Sequence, residues 1–358
     1  MANWFEHQFG FSEREQSMDD VRRKFTLEPQ GNVLTSIDQP DRPFVAGRFE
    51  TPSLAELQRR MAQFEPEMKS LLQGNLRVRE IVADVSDLHT QPDNCFALFQ
   101  AASQFNCLEF PSQRSTPEHG ITCYADDRTQ GPACAITCAP GTVIRNYFGV
   151  GNPDDRSSAE PQRKNNQINN LADIEVILEN DANKFFKVRN GYTLASETSL
   201  RKLGATLEKR VELQEKIAKS LRIGLQWDTE VVCSGFGEKT YRGKQQLVTQ
   251  AYCSGCSVSY GLCSLDAWAP FASLVLRACY EATMTAGIVN AAAHPREPGA
   301  RRVFLTAVGG GEFGNNILWI QGAMKRAFEI FQNYDLEVIL VSYGTPTPEF
   351  QTLLSSTP

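Results

Sequence analysis

Two stretches of this chain bring together residue types that could do chemistry. The first is Gly309-Gly310-Gly311-Glu312-Phe313-Gly314-Asn315. Successive glycines let the backbone enter positive φ and come close to a ligand. The N–H groups of such a turn, with the N-terminus of a following helix, favour an anion, most commonly a phosphate. Glu312 places a carboxylate inside that loop, so it must point away from a bound anion, or the loop takes something less anionic. The second stretch is Asp126-Asp127-Arg128-Thr129-Gln130-Gly131-Pro132. Adjacent aspartates are often a solvated turn. Here they stand just before a helix start at Gly131-Pro132, and the small residues Ala133, Cys134 and Ala135 that come next suit close approach of a ligand.

The elements that must position these residues can be read from periodicity. Val303 to Val308 has strand length and apolar, partly β-branched composition. From Asn315 onward, Ile317, Leu318, Ile320, Ala323, Met324, Ala327 and Phe328 recur at helical spacing, with Asn315 or Asn316 able to cap the first turn. Gly309, Gly311 and Gly314 satisfy G-x-G-x-x-G, so a dinucleotide site of a nicotinamide-dependent oxidoreductase must be weighed. Such a site should open a βαβ unit with an acidic residue closing the second strand. Only Leu336 to Val341 comes after it here, and Asp335 precedes that strand, so a phosphate loop near the C-terminal end of an α/β domain fits better.

Upstream, Leu76 to Val85 and Asn94 to Ala101 read as strands, the latter running into Ser103-Gln104-Phe105-Asn106. Asp84, at the end of its strand, either accepts a hydrogen bond from an adenine amino or ribose hydroxyl group or caps a turn. Trp227 to Val232 and Gln246 to Cys253 read as strands flanking the glycine-containing stretch Gly235 to Gly243. Thr198 to Leu221 reads as one long surface helix. Trp268 to Val289 reads as an apolar helix in which Glu281 needs a polar cavity or a neighbouring backbone group. Pro153 to Asn166 is a polar loop. Residues 1–75 read as a helical extension, with Ser12 to Phe25 at helical spacing and Ser53 with Glu56 in a capping-box relation.

Composition narrows the class. The 358 residues are 41% hydrophobic and 22% charged, with a net charge of −6, the make-up of an ordinary globular protein. That charge gives no footprint for a nucleic-acid backbone. No window has transmembrane length and the N-terminus lacks a signal pattern, so neither a nucleic acid nor a membrane is expected as partner, and a cytoplasmic location is expected. Ten cysteines read as thiols. Cys253-Ser254-Gly255-Cys256 has no second CxxC or paired histidines at zinc spacing, so neither a metal nor a cofactor is expected.

The segments FASLVLRACYEATMTAGIV, RRVFLTAV, GGGEFGNN and DLEVILVSY, taken in order, resemble the C-terminal half of a macrodomain, a family whose second glycine loop wraps the diphosphate of ADP-ribose. FALFQAASQFN is similar to the strand and first loop that carry that family's distal-ribose asparagine, and TQGPACA to the opening of the next helix. Together, with FETPSLAEL, they resemble the MavL-like arginine-specific ADP-ribosyl hydrolases over about residues 76–344. The usual GGGGV of the first loop is replaced by the insertion Leu108 to Arg128.

The resemblance implies an α/β fold: a macrodomain-like mixed sheet flanked by helices in three layers. It would comprise a helical N-terminal extension (1–75), an ADP-ribose-binding catalytic domain (76–344) and a tail (345–358). It further implies hydrolysis of the N-glycosidic bond between ADP-ribose and arginine side chains of mono-ADP-ribosylated proteins. Asp127 would be the main acid, supported by Asp126 and Glu118. Ser103, Asn106 and Gln130 would lie at the distal ribose and Asp84 at the adenosine, with Thr129 and Gly131 also contacting the ligand. Gly309, Gly310, Gly311, Phe313, Gly314 and Asn315 would surround the diphosphate, with Glu312 in the same ligand loop but pointing away from it. A reader that binds ADP-ribose without cleaving it is the alternative.

Overall fold

Along the central strands, successive residues enter different cores. Leu98, Ala251, Val303, Leu305, Val338 and Leu340 pack into one, and Phe99, Tyr252, Phe304 and Ile339 into the other. Apolar residues on both faces at a period of two are what a sheet covered on both sides requires. The computed structural model describes residues 3–153 and 158–355. It contains a seven-stranded sheet of β1 (Arg48–Glu50), β2 (Arg77–Val82), β3 (Leu98–Ala102), β4 (Gly224–Glu230), β5 (Leu247–Cys253), β6 (Arg302–Leu305) and β7 (Glu337–Ser342). The order is β1-β4-β5-β3-β6-β7-β2. The β5-β3-β6-β7-β2 run is parallel, while β4 is antiparallel to both β5 and β1.

Helices flank this sheet on both sides: α1 (Leu54–Ala62), α2 (Gln130–Thr137), α3 (Ala139–Tyr147), α4 (Glu197–Glu208), α5 (Val211–Ser220), α6 (Leu265–Ala293) and α7 (Ile317–Phe331). Buried residues of α1, α4, α5, α6 and α7 cover one face of the sheet, and those of α2 and α3 cover the other. The mixed sheet between two helical layers is thus as expected. No helix among the described residues is long and apolar enough to cross a membrane.

Residues before 76 are more than a helical appendage. Trp4–Phe9 and Met18–Arg23 are helices, but Phe25–Leu27, Val33–Ser36 and Phe44–Val45 form a small antiparallel sheet. Strands of two to four residues are too short for an alternating pattern to stand out. Phe5, Phe9, Phe11, Phe25 and Phe44 meet largely edge to face and pack on the α2–α3 side, while β1 pairs with β4 as an edge strand of the main sheet. The capping box at Ser53 and Glu56 is present.

The single helix expected over Thr198 to Leu221 is two, because the apolar stripe changes phase. Leu200, Leu203 and Leu207 would be continued by Gln214, but the buried residues are Leu213 and Ile217. A non-helical Arg210 (φ −137°, ψ 78°) makes the shift. Glu281 finds its partner in a side chain: Gln58 of α1 donates Nε2 to its Oε1 at 2.8 Å. Of the Pro153 to Asn166 loop, residues 154–157 lie outside the described part.

Candidate functional site

The site begins where two parallel strands separate. β3 and β6 pair only at Leu98 with Val303 and Phe99 with Phe304. Beyond that point backbone groups on the facing edges need other partners. Two glutamines supply them. Gln130 Nε2 donates to the Gln100 carbonyl at 2.9 Å and its Oε1 accepts from the Ala102 N–H at 2.8 Å, while Gln100 Oε1 accepts from the Thr306 N–H at 3.3 Å. The gap opens into a cleft of about 580 Å³ at the C-terminal ends of the strands, the usual ligand position in open parallel sheets. Its walls are the β3–α2 connection, the glycine loop after β6, and Tyr192 with Tyr260.

Carboxyl groups gather at one end. Asp127 is half-buried and its Oδ1 accepts from the Thr129 N–H at 3.0 Å, which fixes it at the entrance of α2. Asp126 is exposed beside it, and both line the cleft. Glu109, from the insertion, also lines it and is the residue that the sequence reading missed. Its side chain is fully buried, and among the described residues its Oε1 has no hydrogen-bond partner. Burial pushes this carboxyl well above the usual range. Arg145 opposes the shift and Asp127 adds to it. Gly131 explains how Glu109 fits: a Cβ there would lie 1.9 Å from the Ala102 carbonyl oxygen and 2.4 Å from Glu109 Oε2.

The turn carrying the aspartates is held from the N-terminal region. Buried Glu13 accepts from the Ile121 N–H at 2.9 Å, from the N–H and hydroxyl of Thr122, and from the Tyr147 hydroxyl. Thr122 opens the short turn that ends at Asp126. Thus residue 13 helps set where residues 126 and 127 sit.

Opposite stands the glycine loop. Gly309 and Gly314 have φ of +73° and +67°, the region that favours glycine. Asn315 ties the loop down by donating Nδ2 to the carbonyls of Cys256 at 2.7 Å and Gly309 at 3.1 Å, while Asn316 caps α7 by accepting from the Leu318 N–H at 2.8 Å. Among the described residues, the N–H groups of Gly309, Gly311, Glu312 and Phe313 have no protein acceptor. They are free for an anion. Phe313, Tyr192 and Tyr260 form an aromatic wall with ring centroids 5.0 to 5.6 Å apart.

Of the residues expected at the site, Asp126, Asp127, Ser103, Thr129, Gln130, Gly131, Gly309, Gly311, Glu312 and Phe313 line this one cleft. Glu312 is exposed at its rim, where solvent screens its charge. Gly310, Gly314 and Asn315 shape the loop without lining the cleft. Three residues stand elsewhere. Asp84 caps the Val85–His89 turn, accepting from the Ser86 N–H at 2.8 Å. Asn106 is buried and bonds Gln167 and the Leu108 N–H. Glu118 accepts from the Lys164 N–H at 2.8 Å and borders a separate depression that Asp126 also reaches.

Cys253 and Cys256 are buried, and Gly255 between them packs against Gly309. The CxxC therefore supports the glycine loop. Among the described residues no three His, Cys, Asp or Glu side chains are grouped to hold a metal. The strand after the loop, β7, ends in Ser342, so the acidic residue of a dinucleotide site is missing there.

No protein-family profile and no curated protein matches the chain. Solved structures with a similar arrangement include poly(ADP-ribose) glycohydrolase from Deinococcus radiodurans in complex with ADP-ribose, at 10% identity and a TM-score of 0.41, covering 86% of this chain and 91% of that one. The Thermomonospora curvata enzyme of the same name gives 12% identity and a TM-score of 0.41, covering 93% of each chain. Its complex with the inhibitor ADP-HPD gives 12% and 0.40, covering 94% of this chain and 96% of that one.

Proposed function

We propose that this chain is an ADP-ribosyl hydrolase of the macrodomain type that releases ADP-ribose from arginine side chains, akin to the MavL-like enzymes. One observation carries the reading: unpaired amides of the glycine loop and a cluster of carboxyl groups face each other across a single cleft. ADP-ribose has matching chemistry, with a diphosphate for the amides and a ribose whose C1″ carries the scissile bond. The amides replace the water that a diphosphate loses on binding, at roughly 1.5–3 kcal/mol for each charge-assisted bond. The aromatic wall offers flat apolar surface to a sugar or base.

Asp127 accepts a proton from the attacking water as that water bonds to C1″. Glu109, protonated through its burial, donates to the departing nitrogen as the C1″–N bond breaks. The electron pair of that bond stays with the guanidine, which leaves as guanidinium, and solvent returns the proton from Asp127 to Glu109. Asp126, beside Asp127, pairs with the guanidinium group, whose planar fork suits carboxylates. In this scheme Asp84, Asn106 and Glu118 act through the surrounding structure.

Calorimetric titration with ADP-ribose, with AMP and NAD as controls, tests binding. Release of free ADP-ribose from an arginine-modified protein tests turnover. Binding without release would leave a reader, and no binding would remove the proposal.

A further inference from the structure

Beside the cleft lies a second hollow of about 640 Å³ with a different character. Arg114, His119, Lys164, Lys187 and Arg189 line it, and all five are exposed. Among the described residues, no carboxylate lies within ion-pair distance of Arg114, Lys164, Lys187 or Arg189. Elsewhere, Arg60 is paired with Glu50, Arg77 with Asp335, and Arg79 and Arg302 with Glu337. Four cations without an ion pair among the described residues gather around one hollow, with the Glu118 carboxylate at its edge on the Lys164 N–H, in a chain of net charge −6. Exposed like charges gathered on one hollow draw an anion more strongly than scattered ones, an attraction that salt screens.

The hollow is separated from the cleft only by a ridge of two chain segments. Phe110 and Pro111 line the cleft and Arg114 the hollow. Tyr192 lines the cleft, while Asn190 and Gly191 line the hollow. Asn190 Nδ2 donates to the Gln113 carbonyl at 2.8 Å, and Gly191 packs against Gln104 and Asn106, which joins the segments into one rigid divider. A polypeptide carrying a modified arginine in the cleft would run over that ridge within a few residues.

We propose that this hollow is a docking site for an acidic segment of the modified protein, so that the enzyme prefers ADP-ribosylarginine flanked by Asp and Glu. This rests on the ADP-ribosylarginine reading of the cleft. A short acidic peptide fits better than a nucleic acid. The cations are confined to one hollow, and a duplex with one charge per about 1.7 Å would extend over the Asp126, Asp127 and Glu118 side of an acidic protein.

The experiment uses the full chain and a fluorescein-labelled decapeptide rich in Asp and Glu that carries no ADP-ribose. Anisotropy is measured at about 0.05 M and 0.5 M salt for the parent and for a Lys187→Glu, Arg189→Glu double variant, with ADP-ribose affinity measured on both. The expected result is binding at low salt, weakened about tenfold or more by high salt and by the double variant, with ADP-ribose affinity unchanged. Peptides with acidic flanks around an ADP-ribosylated arginine should show a higher kcat/KM than neutral-flanked ones in the parent alone. Failure of the acidic peptide to bind while ADP-ribose binds, equal kcat/KM for both peptides, or tighter binding of an equally charged single-stranded oligonucleotide would overturn the docking site and leave the cleft reading standing. Failure of ADP-ribose itself to bind would overturn the cleft reading and this inference with it.

Discussion

Glu109 and Asp127 divide the proposed chemistry because their surroundings differ. Glu109 holds its proton where an exposed carboxyl would have lost it, because burial raises its pKa against the opposing Arg145, with a smaller push from Asp127. Glu109→Gln keeps the shape but cannot donate the same proton. A loss of about 10²–10⁴-fold in kcat, with ADP-ribose affinity kept within a few-fold, is expected from steady-state kinetics and titration. The same residue sets a pH trend. With its folded-state pKa raised, its stabilising share is complete below the ordinary carboxylate range and is lost as pH rises through the folded value. Activity should therefore fall on that alkaline side, and Glu109→Gln should lack that limb. Gly131 is the second sensitive position. A methyl group placed 1.9 Å from the Ala102 carbonyl must displace β3 or α2, so Gly131→Ala should cost about 1–3 kcal/mol in a denaturant melt and abolish binding. The glycine loop was legible because three successive glycines between a strand and a helix stand out, and the paired aspartates because they come just before a helix start followed by small residues. Glu109 was not, since Leu108-Glu109-Phe110 gives no sign that its carboxyl is buried facing a cavity.

At the level of elements, the cleft exists because β3 and β6 part after two paired residues, a matter of register that periodicity does not report. The sequence did show strand, glycine turn and helix over residues 302–331 in the right order. It also showed two further strands, read at 227–232 and 246–253 and found at Gly224–Glu230 and Leu247–Cys253. What it hid was how Gln130 and Gln100 stitch the parted strands, since a glutamine at a helix start carries no mark of its partner. Nor did it reveal that Glu13 sets the aspartate turn from more than 100 residues away. Four donors converge on Glu13, so Glu13→Gln turns an amide NH2 toward at least one of them. Loss of about 2 kcal/mol in stability is expected, with kcat falling more than ADP-ribose affinity. Thermal melts beside kinetics check this. Unchanged kcat in a destabilised variant would show that the turn does not depend on residue 13.

The whole molecule is knit across its length. β1 closes one edge of the sheet, the N-terminal aromatic cluster covers the α2–α3 side, and Leu54 and Leu57 enter the other core. Removal of residues 1–75 should therefore yield an insoluble chain, readable from its expression and gel filtration. His89 adds a global acid response. Burial lowers its pKa from 6.5 to about 4, and it sits against Phe99 with Gln250 at 3.0 Å. Unfolded chains take the proton first as pH falls, so stability is complete above about 6.5 and is lost toward 4. The shift amounts to about 3 kcal/mol. Denaturant melts at pH 7 and pH 5 should show the loss, flattened in His89→Gln. The most direct test of the central proposal is single-turnover release of ADP-ribose from an arginine-modified protein by the parent and by Asp127→Ala, with ADP-ribose binding measured on both. Release by the parent, and at least a hundredfold slower release by a variant that still binds, is the expected result. Release at the parental rate by Asp127→Ala, or none by the parent, would contradict it.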